Sequence, residues 1–247
     1  SLESVTTRIA GDTQAPARAW LTLFARVVLF AAGQALVALV FLATGDAHPW
    51  EASIAWWPVS ATVANAVTVV LLARMTRAEG APLSILWNRS RATWKRDALY
   101  FLAAFVALGP IAMLPSSLLA TALWGDPQAG ATMMFRALPL WAAVPTLVLF
   151  PLSIAFSELP AYGGYVLPRL QAITGKRGLP VLIVAAVLAA QHVALPLVFD
   201  GSFILWRLLM YAPFALFVIW AIDRRPTLMP YFMGMHALID VSVPVYV

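Results

Sequence analysis

The chain has 247 residues, of which 62% are hydrophobic and 11% are charged, and its formal net charge is +5. A soluble domain carries roughly 25% charged residues, so this composition excludes an ordinary soluble protein. The absence of cysteine excludes disulfides, thiolate nucleophiles and cysteine-ligated metals. The basic residues lie at the ends of apolar runs, so membrane topology explains them better than a nucleic-acid surface, and we expect no nucleic-acid partner.

Apolar blocks long enough to cross a hydrocarbon core of ~30 Å recur along the chain. They predict an all-α, polytopic membrane helical bundle that forms a single transmembrane domain over residues 1–247. About seven transmembrane helices are expected, at approximately 19–44, 53–74, 97–123, 137–169, 179–199, 203–222 and 228–246. Basic and non-basic connections alternate between these spans. The positive-inside rule therefore places the N-terminus in the cytoplasm of a multi-pass protein of the cell (inner) membrane.

The fourth block, 137–169, is longer than a perpendicular membrane helix needs to be. It contains five prolines, and Gly163 and Gly164 weaken the helix further. We expect a tilt, a kink near Pro160 or an unwound section in this block. Irregular backbone at membrane depth is tolerated where it lines a cavity or is buried in protein.

Four acidic or imidazole residues lie inside the apolar runs: Glu158, His192, His236 and Asp240. A charge at the bilayer centre costs about 2.5–3.5 kcal/mol, so such groups usually pair and line functional cavities. Counting inward from the predicted span ends at 1.5 Å per residue places all four in one layer near the midplane. His236 and Asp240 stand at i and i+4 on one helix face, which predicts a hydrogen bond that fixes the imidazole tautomer.

Other residues of these runs are assigned no chemistry. Arg26, Arg136 and Arg207 lie near predicted span ends, where long side chains reach the membrane interface. Gly234, two residues before His236, is expected to let a neighbouring helix approach closely.

One glutamate, two histidines and an aspartate are the side chains that a hydrolytic site needs. Peptide hydrolysis requires a base that activates water and donors that hold the developing oxyanion. We predict Glu158 as the base and His192 and His236 as donors to the oxyanion or the leaving group. The four predicted catalytic residues are Glu158, His192, His236 and Asp240, and no cofactor is expected.

Three alternatives use the same residues. The first is a metal-dependent enzyme in which Glu158, His192, His236 and Asp240 bind a divalent metal such as zinc, although the H-E-x-x-H spacing is absent. The second is a non-catalytic membrane protein, such as a peptide-binding or immunity protein with a degenerate site. The third is a transporter that relays protons through buried Glu and His. Repeat symmetry, which is typical of transporters, is not detected in this sequence.

Three stretches of the second half carry these residues: SELPAYGGYVLPRL at 157–170, LAAQH at 188–192 and HALID at 236–240. In order and separation they resemble the three motifs of the CPBP family, the CAAX proteases and bacteriocin-processing enzymes that are also called Abi proteins. The resemblance covers about residues 150–247. The chain has Leu159, Gly163 and Leu188 where the family motifs have a second Glu, an Arg and a Phe.

The resemblance implies an intramembrane endopeptidase. In it, a water activated by Glu158 attacks a peptide bond while His192, His236 and Asp240 stabilise the oxyanion. The implied partners are a peptide or membrane-protein substrate, which enters the cavity from the cytoplasm or the membrane, and membrane lipid. In the family's eukaryotic members the substrate is a prenylated C-terminal motif.

Overall fold

The computed structural model describes residues 2–241, and every regular element within that range is helical. Eleven α-helices are numbered here in chain order: α1 (Leu2–Ile9), α2 (Ala15–Ala43), α3 (Pro49–Ile54), α4 (Trp57–Ala78), α5 (Trp94–Trp124), α6 (Ala129–Met134), α7 (Leu140–Leu159), α8 (Leu167–Thr174), α9 (Gly178–Gln191), α10 (Gly201–Arg224) and α11 (Met229–Asp240). A π-helix, Pro160–Val166, joins α7 to α8. Short 3₁₀ turns occupy Leu83–Trp87, His192–Ala194 and Pro226–Leu228.

Five of the helical segments between residues 2 and 241 are long and apolar enough to cross a membrane. They are α2, α4, α5, the continuous segment Leu140–Thr174 and α10. Large apolar side chains cover their outward faces, and on α5 these include Leu99, Val106 and Met113, each more than two-thirds exposed. Exposed apolar area on this scale is typical of a surface that contacts lipid, so the chain has the features of a membrane protein.

Two of the seven expected spans are not among the five long segments found between residues 2 and 241. The expected span 179–199 becomes α9 followed by the 3₁₀ turn, and the shorter apolar segment Gly178–Ala194 ends well before residue 199. The expected span 228–246 is represented by α11, which has 12 residues. Its remaining positions, 242–246, lie outside the described residues.

The helices pack so that α2, α4, α9 and α11 surround the end of α7. Helix α7 packs between α4 and α11, α2 packs against α4, and α10 packs between α9 and α5. One buried apolar cluster surrounds the π-helix, and a second one lies among Phe30, Trp57, Phe150 and Trp206. The end of α7 therefore lies in the interior of the bundle.

The expected irregularity near Pro160 is the π-helix, which is buried along its full length. Here the backbone passes close to its neighbours, and at Gly164 it leaves no room for a Cβ. A Cβ at Gly164 would lie 2.8 Å from the carbonyl oxygen of Leu86 and a Cβ at Gly163 would lie 3.2 Å from side-chain atoms of neighbouring residues. The expectation for Gly234 is wrong for the described part of the chain, because a Cβ there meets no atom of residues 2–241 within 4 Å.

Candidate functional site

Glu158 lies in the last turn of α7, immediately before the π-helix, and is 2% exposed. Its carboxylate is contacted on both oxygens. Oε2 accepts hydrogen bonds from Gln191 Nε2 and from Arg26 Nη2, the latter at 3.3 Å. Oε1 lies 3.3 Å from His236 Nε2. One buried carboxylate therefore joins α7 to α2, α9 and α11.

Arg26 is the central contact of this network and is fully buried in the middle of α2. Its Nε donates to Gln191 Oε1 at 2.9 Å, and its Nη1 donates to Asn65 Oδ1 and to Ser157 Oγ, each at 3.0 Å. With the bond to Glu158, the guanidinium ties together four helices. The expectation that Arg26 reaches the membrane interface is wrong. Removing a guanidinium from water is costly unless it is paired and fully hydrogen-bonded, and these neighbours supply both.

His236 and Asp240 lie one turn apart on α11. The His236 Nε2 to Asp240 Oδ2 distance is 3.7 Å, which is longer than a hydrogen bond, so the expected bond between them is not formed. His236 Nε2 lies nearer to Glu158. His236 Nδ1 and Asp240 Oδ2 are buried and have no hydrogen-bond partner among residues 2–241. These are polar atoms that a ligand or a water is able to satisfy.

His192 lies where α9 passes into the 3₁₀ turn. Its Nδ1 is 2.8 Å from the carbonyl oxygen of Leu188. A carbonyl only accepts, so Nδ1 carries the hydrogen, and in the neutral ring Nε2 has the free lone pair. The ring stacks on Tyr211 with centroids 3.7 Å apart. Arg207 of α10 donates to the backbone carbonyl of His192 at 3.2 Å and to that of Leu195, so this arginine too is buried rather than interfacial.

A cavity of about 300 Å³ adjoins these groups. Its polar lining includes His192, His236, Asp240 and Arg207, and most of the other lining residues are aromatic or aliphatic. This volume is at the lower end of the range of ligand pockets, about 300–1,000 Å³. Glu158 is not among the lining residues and contacts the cavity through His236.

The structure therefore brings three of the four predicted residues into one contact chain, Glu158–His236–Asp240. His192 lies on the wall of the same cavity, and no bond from its ring to the other three occurs among the described residues. Sequence reasoning missed Arg26, and Gln191 is not among the four predicted catalytic residues. The signal that could have identified Arg26 is its depth in the membrane, counted from the start of its helix. Arg26 is eleven residues past the start of α2, about 16 Å along the helix, the same count that separates Glu158 from Arg169.

The four residues do not form a preassembled metal site. Among residues 2–241, no three His, Asp or Glu side chains gather in a metal-binding cluster. Glu158 Oε2 accepts from two N–H donors and Oε1 lies 3.3 Å from His236 Nε2, and a metal bound to Oε2 would have to displace the Arg26 guanidinium. The metal-dependent alternative thus requires rearrangement of the most buried contacts in the site.

The chain was compared with protein-family models, with curated proteins and with solved structures, and none of them matches. The CPBP resemblance therefore depends on the three short motifs.

Proposed function

We propose that this chain is a multi-pass membrane peptide hydrolase that acts as an endopeptidase of the CPBP type. The observation that carries the proposal is the convergence of Glu158 and His236. These residues come from helices separated by about 70 residues of chain, yet their carboxylate and imidazole lie 3.3 Å apart beside a cavity that His192 and Asp240 also line. Buried ionisable groups that meet at a cavity are typical of catalytic sites.

The proposed topology has about seven crossings, with the N-terminus in the cytoplasm of the cell (inner) membrane. Five long apolar segments and the shorter segment Gly178–Ala194 supply six of them. Helix α11 and the residues that follow it would supply the seventh. The alternation of basic and non-basic connections supports the orientation.

In the proposed mechanism, Arg26 and Gln191 hold Glu158 Oε2, so Oε1 is the oxygen that receives a proton. A water beside Oε1 loses that proton as its oxygen attacks the peptide carbonyl. The imidazole of His236 donates a hydrogen bond to the resulting oxyanion. His192 donates to it only as the imidazolium, because the single hydrogen of the neutral ring is on Nδ1 and is bonded to Leu188. The proton on Glu158 then passes to the leaving amine. Asp240 assists only in its protonated form, because an ionised carboxylate has no hydrogen to donate.

The proposed base needs no metal. The guanidinium of Arg26 provides the positive charge beside Glu158, whereas the position of the Arg of the family motif is occupied by Gly163. The chain thus has a cation on α2 in place of one on the motif helix.

A second function is favoured by a different observation. Glu158 does not line the cavity, and its Oε2 is neutralised by Arg26. In a non-catalytic membrane protein that binds peptides, the same ion pair would hold the bundle together while the cavity holds the peptide. An assay of peptide cleavage distinguishes the two functions, because a protein that only binds peptides does not cut them.

The test is proteolysis by the purified chain in lipid vesicles. Membrane fractions are incubated with wild type, Glu158→Gln or His236→Ala, and new peptide N-termini are mapped by mass spectrometry. We expect cleavage by wild type and at least a hundredfold loss in both variants, the low end of the ~10²–10⁴-fold contribution of a general base. A chelator is expected to leave the wild-type rate unchanged.

Glu79→Gln is the matched control. Glu79 is a carboxylate that is also buried, and it pairs with Arg169 rather than with the site. We expect this variant to lose stability but retain cleavage per folded molecule. Cleavage that persists in Glu158→Gln would contradict the proposed base. A wild type that retains peptides without cutting them would favour the binding function.

A further inference from the structure

A second cavity, of about 460 Å³, lies at the end of the bundle where α1, the π-helix, α8 and the end of α10 meet. It shares no lining residue with the cavity beside His236. We call it the basic cavity, because four arginines line it: Arg8, Arg169, Arg177 and Arg224. The only acidic residue in its lining is Asp223.

The local charges of the basic cavity do not cancel. Arg169 is paired with Glu79 behind the wall. Arg177 Nε lies 2.9 Å from Asp223 Oδ2, and Arg224 Nε lies 4.0 Å from the same oxygen. Counting the four arginines against Asp223 and Glu79 leaves a charge of +2 (4 − 2).

Within residues 2–241, Arg8 is the arginine of the lining that has no acidic partner. It donates to Ser4 Oγ at 2.9 Å. Arg224 shares its acid with Arg177 and keeps its side chain 63% exposed. Two guanidinium groups of the lining, Arg8 from α1 and Arg224 from the end of α10, are therefore able to bind an anion. Guanidinium groups bind phosphate through paired N–H donors, which makes phosphate the ligand that suits them best.

The position of these arginines corresponds to the headgroup layer. Arg224 is the last residue of α10, which is a membrane-crossing candidate, and Arg177 immediately precedes α9. Basic pockets at this level between membrane helices are typical binding sites for anionic headgroups.

We infer that the basic cavity binds the phosphate group of an anionic ligand between Arg8 and Arg224. The phosphate comes either from an anionic phospholipid or from a small soluble phosphate. This site is independent of the proposed hydrolysis, so neither outcome of the binding experiment below bears on that function.

The experiment compares two double variants that lose the same charge. Arg8→Gln/Arg224→Gln removes the two cavity cations. Arg74→Gln/Arg77→Gln removes two exposed arginines of α4 that do not line the basic cavity. Native mass spectrometry of the full chain in detergent measures retention of phosphatidylglycerol against phosphatidylcholine. Calorimetry without lipid measures binding of inorganic phosphate at constant ionic strength.

We expect wild type to retain one phosphatidylglycerol in preference to phosphatidylcholine. Losing two arginines at about fivefold each should weaken this retention about 25-fold in the cavity variant, with little change in the α4 variant. Stoichiometric binding of inorganic phosphate that only the cavity variant loses would also support the site and identify a soluble source. Equal losses in the two variants, or no preference for either phosphate ligand in wild type, would overturn the inference.

Discussion

The buried pair of Arg26 and Glu158 makes a prediction about stability that needs no assumption about catalysis. Arg26→Met removes the guanidinium and keeps most of the side-chain volume. It leaves the Glu158 carboxylate buried beside Gln191 and His236 with no permanent positive charge. Breaking a buried ion pair by removing one partner costs about 3–5 kcal/mol, because the other charge remains unpaired. We expect a loss of this size for Arg26→Met.

The double variant isolates the pair. Glu158→Gln alone leaves the Arg26 guanidinium unpaired and should also destabilise, whereas Arg26→Met/Glu158→Gln removes both charges. We expect the double variant to be less destabilised than the sum of the single variants by at least about 1.5 kcal/mol. The bonds from Arg26 to Asn65 and Ser157 are lost in both variants that lack the arginine, so they cancel in the cycle.

The assay is reversible unfolding in mixed micelles, followed by far-ultraviolet circular dichroism as the fraction of denaturing detergent rises. Arg136→Gln is the control, because Arg136 is exposed and, within residues 2–241, its side chain donates only to the backbone carbonyl of Glu51. It should change the free energy of unfolding by less than about 0.5 kcal/mol. Additive single variants, or an Arg26→Met variant within about 1 kcal/mol of wild type, would refute the reasoning.

Three further predictions test packing, the cavity and a local charge. Gly164→Ala should lower the free energy of unfolding by about 1–3 kcal/mol, because its Cβ would lie 2.8 Å from a backbone oxygen. Gly234→Ala meets no atom of residues 2–241, so in the same assay it should leave the free energy of unfolding unchanged or raise it by up to ~1 kcal/mol. Ala112→Trp fills the cavity beside His236 without altering a polar group, and it should reduce cleavage at least tenfold while the unfolding midpoint stays near wild type. The Arg18 guanidinium donates a hydrogen bond to the Asp12 carboxylate and holds the pKa of Asp12 below its ordinary value. The stabilisation from this contact is therefore complete above the ordinary pKa of an aspartate, and it is lost as the pH falls through the lowered pKa of Asp12. Arg18→Gln should raise the pKa of Asp12 in a carbon-detected NMR titration, and an unchanged pKa would show that the bond does not form in solution.

The long membrane segments could be predicted because composition alone determines them. Blocks of about twenty apolar residues predicted helices at the positions of α2, α4, α5 and α10. The short segments could not be predicted in the same way. Helix α9 ends at Gln191 because the chain turns at His192, and Arg207 holds that turn from another helix. A contact between residues distant in sequence decides this end, and hydropathy does not record it.

The site was predicted in part for a similar reason. Glu158 and His236 could be placed together because their depths agree when counted from basic span ends. Arg26 was missed because the apolar run was taken to begin near residue 19, whereas α2 begins at Ala15 and carries the arginine further inward. The close backbone approach was assigned to Gly234 rather than Gly164, because a glycine's neighbours across the bundle are not visible in one sequence.

The π-helix lies between Glu158 and Arg169 and affects the direction in which each side chain leaves the helix. These two residues form the buried ion pairs with Arg26 and Glu79. Glu158 and Arg169 are eleven residues apart, close to three whole turns of an α-helix at about 100° per residue, so an uninterrupted α-helix would direct both side chains to one side. An additional residue in the wider turn rotates everything after it by about 100°, and this sends Arg169 toward Glu79 while Glu158 stays directed at Arg26. The π-helix therefore sets the rotation between the two ion pairs, so that each side chain faces its own partner. Straightening the segment into a regular α-helix of unchanged length would direct both side chains to one side, and Arg169 would no longer face Glu79.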